Sequence, residues 1–205
     1  MKLPKLAKNI YLISPKKIYS KFYADLTDVL KSNKVKFFQL RLKKTSRYVV
    51  KKHIMNISKI TRRYKVKFII NDDPYFAKLS FVDGCHLGQS DMELKLARKI
   101  IKNKIIGVTC HNSLKFCKSA IKNNADYIAM GSFYKSKLKP KAKVAQLENL
   151  SKVRKLTSKT IVAIGGINNT NYKKILRYGA NYIALSSFIW NNPSLIPGKA
   201  IKEFR

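Results

Sequence analysis

Short runs of apolar, β-branched and aromatic residues alternate along the chain with longer helix-like segments of polar-patterned sequence, the signature of repeated βα units. The strand-like runs are Asn9–Ser14, Val35–Leu42, Val66–Asp72, Gly84–Gln89, Ile105–His111, Tyr127–Phe133, Thr160–Ile167 and Tyr182–Phe188. The segments between and after them, each long enough for a helix, are Tyr19–Ser32, Thr45–Tyr64, Pro74–Ser80, Asp91–Lys102, Ser113–Asn123, Val144–Leu156, Asn169–Tyr178 and Ser194–Glu203, the third being the shortest.

Eight such units in 205 residues predict an α/β fold of one domain spanning 1–205, a compact (β/α)8 TIM barrel almost free of insertions. An open doubly wound sheet is the alternative. The barrel is preferred because the eighth run is still followed by a helix-like segment, and because no glycine-rich dinucleotide fingerprint follows the first strand. A hydrophobic content of 45% is enough for one well-buried core. The segments share a pattern rather than a sequence, so no solenoid-type repeat is expected.

The 44 Lys and Arg against 10 Asp and Glu give a formal charge of +34, which raises nucleic acid, anionic membrane or anionic substrate as partners. The lysines are spread along the whole chain with abundant Ile, Asn, Tyr and Phe, a bias that AT-rich coding alone produces, and no nucleic-acid-binding motif is present. Cys85, Cys110 and Cys117 show no metal-binding spacing and are expected to be buried thiols. The N-terminal residues lack an apolar signal region and no stretch approaches a membrane span, so a cytoplasmic protein with no membrane partner is expected.

Candidate chemistry gathers where the strand-like runs end. Gln39, Arg41 and Lys43 stand at alternate positions, so in a strand they share one face while Phe38, Leu40 and Leu42 pack outward. Two cations aimed inward need an anionic partner. Asn71, Asp72, Thr109, His111, Ser132, Gly165, Gly166, Ser186 and Ser187 fall at the same end, which in a barrel is the face that carries the active site. Asp72 and Asp91 are placed to reach one rim position, and one or two carboxylates with substrate phosphates is a common way to hold Mg2+; the structural alternative has Asp91 capping a helix and Asp72 paired with a lysine. Gly165 and Gly166 let backbone N–H groups approach a phosphate, with hydroxyls from Ser186 and Ser187 beside them. The loop from Gly131 to Lys141 is basic and hydroxyl-bearing, as suits a flap closing on a polyanion.

Together these motifs resemble the thiamine phosphate synthase family over nearly the whole chain. They are Gln39-Leu40-Arg41-Leu42-Lys43, Ile70-Asn71-Asp72, Asp83 to Asp91, Gly107 to Asn112, Ala125 to Ser132 and Val162 to Ile167, and they agree in order and spacing. The resemblance implies an enzyme, a transferase that joins hydroxymethylpyrimidine diphosphate to thiazole phosphate with loss of pyrophosphate. It implies that Gln39, Leu40, Arg41, Leu42, Lys43, Asn71, Thr109 and Lys139 hold the pyrimidine diphosphate, with Arg41, Lys43 and Lys139 carrying the catalysis. Asp72 and Asp91 match Mg2+ ligands. Ser136, Lys137, Leu138, Gly165, Gly166, Ser186 and Ser187 match the thiazole phosphate site.

The sequence departs from the family pattern at three places. Asp73 stands where Arg is usual, Thr109 where Ser is usual, and Leu138 where the flap usually has a hydroxyl, which leaves Lys139 as the flap lysine that the alignment favours. The partners implied are small phosphorylated molecules, with homo-oligomerisation left open. Two other readings compete: a thiazole tautomerase-like barrel, in which Arg41, Lys43, Asp72 and Asp91 would have little to do, and a non-catalytic basic barrel that binds nucleic acid.

Overall fold

The computed structural model describes residues 9–134 and 144–205. Eight parallel strands close into a barrel in sequential order. They are β1 (Ile10–Ile13), β2 (Val35–Leu40), β3 (Lys67–Asn71), β4 (Gly84–Leu87), β5 (Ile105–His111), β6 (Tyr127–Gly131), β7 (Thr160–Ile164) and β8 (Tyr182–Leu185). Helices follow as α1 (Phe22–Lys31), α2 (Arg47–Arg63), α3 (Pro74–Ala77), α4 (Leu94–Ile101), α5 (Leu114–Lys122), α6 (Leu147–Leu156) and α7 (Tyr172–Arg177). After β8 come α8 (Ser187–Trp190), α9 (Pro197–Ala200) and a 3-10 turn, Ile201–Glu203.

Period-two alternation sends the side chains of each strand into two different cores. The outer core lies between sheet and helices and includes Phe38, Phe68, Ile70, Ile106, Ile128, Ile161 and Ile183, all buried. The inner one fills the barrel with Tyr11, Ile13, Tyr127, Ala129, Val162 and Ala184, packed with Phe37, Ile105, Ile164 and Tyr182. Its aromatic rings interlock at the floor, where Tyr11 stacks on Phe37 at 5.5 Å and Phe37 meets Tyr182 edge-on at 5.2 Å.

A recurring device closes the floor. Asp83, Asp126 and Asn181 each precede an even-numbered strand, and each side chain accepts the backbone N–H of the second residue of the strand before it. The acceptor distances are 2.8 Å from Phe68, 2.7 Å from Ile106 and 2.8 Å from Ile161. A cation holds each acceptor from the other side: Lys67, Arg98 and Arg154 at 2.8, 2.6 and 2.9 Å. The sequence around two of these positions is itself repeated. Ala125–Phe133 and Ala180–Phe188 read Ala-Asp-Tyr-Ile-Ala-Met-Gly-Ser-Phe and Ala-Asn-Tyr-Ile-Ala-Leu-Ser-Ser-Phe, so two βα units share sequence as well as pattern.

Several expected elements are shorter. β2 ends at Leu40, so Arg41 and Lys43 lie on the loop beyond the strand and not along its inner face. Helix α4 begins at Leu94 after a Glu93 cap, which leaves Asp91 outside it. The final segment yields α9 and a 3-10 turn, and α8 begins inside the run expected to be strand. The three cysteines are free and buried, as expected.

Candidate active site

The C-terminal ends of the strands form the mouth, and Ser14, just past β1, ties two of its sides together. Its hydroxyl accepts the backbone N–H of Arg41 at 2.9 Å, and its carbonyl accepts the Ser186 hydroxyl at 3.2 Å. On the neighbouring strand Gln39 is only 2% exposed, and its amide nitrogen has no hydrogen-bond partner among the described residues. A buried amide without partners is disfavoured by about 1–3 kcal/mol, which marks Gln39 as waiting for an acceptor. The Arg41 guanidinium is paired with no carboxylate among the described residues. Leu40 and Leu42 pack into or against the outer core, so the substrate-facing role expected of them is confined to their backbone.

The acidic side of the mouth comes from β3 and the loop after β4. Asp72 adopts a left-handed backbone conformation (φ 64°) just past Asn71, and its N–H donates to the His86 carbonyl at 2.8 Å. Its carboxylate stands 3.3 Å from the Lys43 ammonium. Burial first, and then the nearby Asp91 carboxylate, push Asp72 above the usual carboxylate range, with Lys43 working against both. Asp91 is held by its own loop: one carboxylate oxygen accepts the Gly88 N–H at 2.6 Å, so the capping alternative for Asp91 is realised on Gly88 rather than on α4. The two carboxylates therefore face one another at adjoining strand ends, as the sequence suggested. Among the described residues no third Asp, Glu, His or Cys joins them as a ligand cluster.

Across the mouth, Gly165 and Gly166 follow β7 with φ of 104° and 63°. A methyl at Gly165 would fall 1.8 Å from the Ser132 hydroxyl, so only glycine lets β6 and β7 approach so closely. The Asn168 and Asn171 side chains knit the turn beyond, Asn171 donating to the Gly166 carbonyl at 3.0 Å. Ser187 opens α8 beside Ser186, and Trp190 anchors that helix by donating to the Ile13 carbonyl at 2.6 Å.

Below the mouth, the interior is not purely apolar. Tyr11 and Tyr127 join hydroxyls at 2.7 Å, Tyr127 meets His86 Nδ1 at 2.8 Å, and His86 Nε2 meets the Thr109 hydroxyl at 2.7 Å. Burial pulls the imidazole down to about 4, with Asp91 opposing and Arg41 assisting, so His86 is neutral near pH 7. Burial likewise raises both tyrosines. Gly107 makes room for this arrangement, since a methyl there would lie 1.8 Å from the Tyr127 ring.

Residues 10–189 match the family model described as thiamine monophosphate synthase. The chain belongs to the thiamine monophosphate synthase family. A thiamine-phosphate synthase of Pelagibacter ubique is 53% identical over 209 residues, with both chains covered completely. One from Clostridium acetobutylicum is 34% identical over 183 residues, covering 88% of this chain and 86% of that protein. Among solved structures, thiamine phosphate pyrophosphorylase from Pyrococcus furiosus superimposes with a TM-score of 0.86 at 28% identity, over 98% of this chain and 94% of that one.

Of the positions that resemble this family's site, Gln39, Arg41, Lys43, Asn71, Asp72, Asp91, Thr109, Gly165, Gly166, Ser186 and Ser187 all sit at the mouth. Ser136, Lys137, Leu138 and Lys139 lie outside the described residues. Asp73, which departs from the synthase pattern, is fully engaged elsewhere: it caps α3 by accepting the Phe76 N–H at 3.0 Å and pairs with Arg47 at 2.5 Å. It therefore adds no free carboxylate beside Asp72. Sequence reasoning missed Ser14 and the interior partners of Thr109. Of these, only His86 carried a signal, as a lone histidine on the inward face of a strand.

Proposed function

We propose that the barrel mouth binds hydroxymethylpyrimidine diphosphate across the ends of β2 to β5 and thiazole phosphate across the ends of β7 and β8, and joins them as a thiamine-phosphate synthase. In this transfer the carbon–oxygen bond between the pyrimidine methylene and the diphosphate breaks, and its electron pair leaves with pyrophosphate. The thiazole nitrogen lone pair then forms the new bond to the methylene, giving thiamine phosphate.

The departing group gains charge as the bond breaks, so the site must offer preorganised positive charge and donors. Arg41, without an internal carboxylate, and Lys43 supply that charge. Gln39 offers its unpartnered amide from deeper in the barrel, where the uncharged pyrimidine would lie. Backbone donors around Gly166 and Ser186, with the Ser187 hydroxyl, would orient the thiazole phosphate, the Ser186 hydroxyl being engaged by Ser14. Small phosphorylated molecules as partners follow from this chemistry.

Asp72 and Asp91 fit Mg2+. Two neighbouring carboxylates, with Asp72 raised first by burial and then by Asp91 and with no third Asp, Glu, His or Cys clustered with them among the described residues, match a cation that takes its remaining ligands from water and substrate phosphates. Held there, Mg2+ would neutralise part of the pyrophosphate charge. No helix among the described residues is long and apolar enough to cross a membrane, and the free buried thiols agree with a reducing, cytoplasmic setting.

The observation that carries this reading is the meeting of Lys43, Asp72 and Asp91 at adjoining strand ends, with the buried, unpartnered Gln39 amide on the same strand that leads to Lys43. Incubating the full chain with both substrates and Mg2+ should release thiamine phosphate and pyrophosphate in equal amounts. Absence of both products from a folded preparation would overturn the assignment.

A further inference from the structure

Tyr11, Tyr127, His86 and Thr109 form one unbranched run of hydrogen bonds climbing from the barrel floor to the mouth, at 2.7, 2.8 and 2.7 Å. Each of the four groups, with the imidazole neutral, can donate one proton and accept another. The run therefore has two possible proton orders, and they present opposite faces to the mouth. In one, Tyr11 donates to Tyr127, Tyr127 to His86 Nδ1, and His86 Nε2–H to Thr109, whose own proton is left to point outward. In the other, Thr109 donates inward and offers only lone pairs to a ligand.

The floor end decides between them. Tyr11 is 2% exposed, lies in the inner apolar core, and has Tyr127 as its only hydrogen-bond partner among the described residues. With the inward order the Tyr11 proton would be buried without an acceptor, whereas with the outward order every proton of the run below Thr109 is used. A buried donor left without a partner is the more heavily disfavoured state, because a hydroxyl oxygen with a spare lone pair loses less. The bond to Nδ1 in turn sets which nitrogen of the ring carries the proton.

We infer that this run is proton-ordered outward from Tyr11, which holds His86 as its Nε2–H tautomer and leaves the Thr109 proton free to be donated to the substrate. His86 is then a positioning residue: it touches no reacting atom but fixes the polarity of the group that meets the pyrimidine diphosphate. The consequence for recognition rests on the assignment of Thr109 to that substrate, while the proton order itself does not. With that proton free, Thr109 can donate to a phosphate oxygen or an unprotonated ring nitrogen, which the inward order would not allow.

The order can be read directly. Only three histidines are present, so replacing His53 and His111 with Gln leaves His86 as the sole imidazole in the full chain. Nitrogen NMR of that protein, ring-labelled and near neutral pH, should show Nε2 bonded to hydrogen and Nδ1 bare. A proton on Nδ1, alone or together with one on Nε2, would overturn the inference.

Kinetics supply a second arm. Tyr127→Phe removes the donor to Nδ1 and should lower kcat about tenfold or more, leaving KM for thiazole phosphate within about twofold; Tyr11→Phe leaves the remaining order intact and should stay within about twofold in both. Equal losses in the two variants would count against the outward order. His86→Gln, which accepts at one end of its amide and donates at the other, should recover most of the activity that His86→Leu loses. The correct tautomer together with no product from the unsubstituted chain would overturn the synthase assignment and leave the proton order standing.

Discussion

Lys43 and Asp72 meet across the ends of two neighbouring strands, the ammonium 3.3 Å from a carboxylate oxygen, with the lysine side chain 56% exposed and the aspartate 29%. An ion pair so open to water contributes about 0–1 kcal/mol to folding. Lys43→Ala should therefore leave the unfolding midpoint almost unchanged while lowering kcat by about a hundredfold, as loss of a donor aimed at developing charge does. Denaturation and steady-state assays on the same preparation check this. A large loss of stability would make Lys43 structural.

Asp72→Asn and Asp91→Asn should each weaken Mg2+ binding by more than about tenfold in calorimetric titration, because either change leaves one formal charge where the cation needs two. Asp73→Asn should not, since that carboxylate is already spent on the Phe76 N–H and Arg47. Similar weakening by all three would mean that the metal is held some other way.

Gln39→Met keeps volume while removing the buried amide that has no partner. Folding should be unaffected or stabilised, by up to about 1 kcal/mol, because the group removed is an unmet polar burden in the free protein. KM for the pyrimidine diphosphate should rise. A destabilised Gln39→Met would show that the amide already has a partner in the free state.

His86 gives the fold an acid limb. Its folded-state value lies near 4 against about 6.5 unfolded, so between these the unfolded chain binds more protons and stability rises with pH. The contribution is complete above about 6.5 and is lost as pH falls toward 4, by roughly 3 kcal/mol at most. Denaturant titrations at several pH values should show this slope, and His86→Gln should flatten it.

Asp126 is expected to matter for stability alone. Its side chain accepts the Ile106 N–H at 2.7 Å and holds Arg98 at 2.6 Å, and Asp126→Ala leaves that N–H unpaired at the edge of the core. The change should cost about 1–3 kcal/mol, a drop of ~2–4 °C in Tm for each kcal/mol, with kcat unaltered in the surviving folded protein.

The strands and their order were legible because each apolar run is short, β-branched and followed by polar-patterned sequence, as in Thr160–Ile164 and Ile105–His111. The paired carboxylates were legible too, since Asp72 and Asp91 both stand at strand ends that the closed barrel must gather on one side. The end of β2 was not. Nothing in Leu40-Arg41-Leu42-Lys43 breaks the alternation; beyond Leu40 the Arg41 N–H is taken by the Ser14 hydroxyl at the end of the neighbouring strand β1, a contact far away in sequence. The floor acceptors escaped for a related reason. Asp83, Asp126 and Asn181 look like ordinary turn residues until the strands before them are in place to donate.

The acceptors at the floor and the chemistry at the mouth lie at opposite ends of the strands, so mutations at the two ends are answered by different properties of the protein. Asp73 and Thr109 stand at the mouth, while the floor bonds of Asp83, Asp126 and Asn181 close the barrel from below. Apart from positions such as Gly165, where the two strands close on each other, the risk of a new residue at the mouth is then expected to fall on activity before it falls on the ability of the chain to fold.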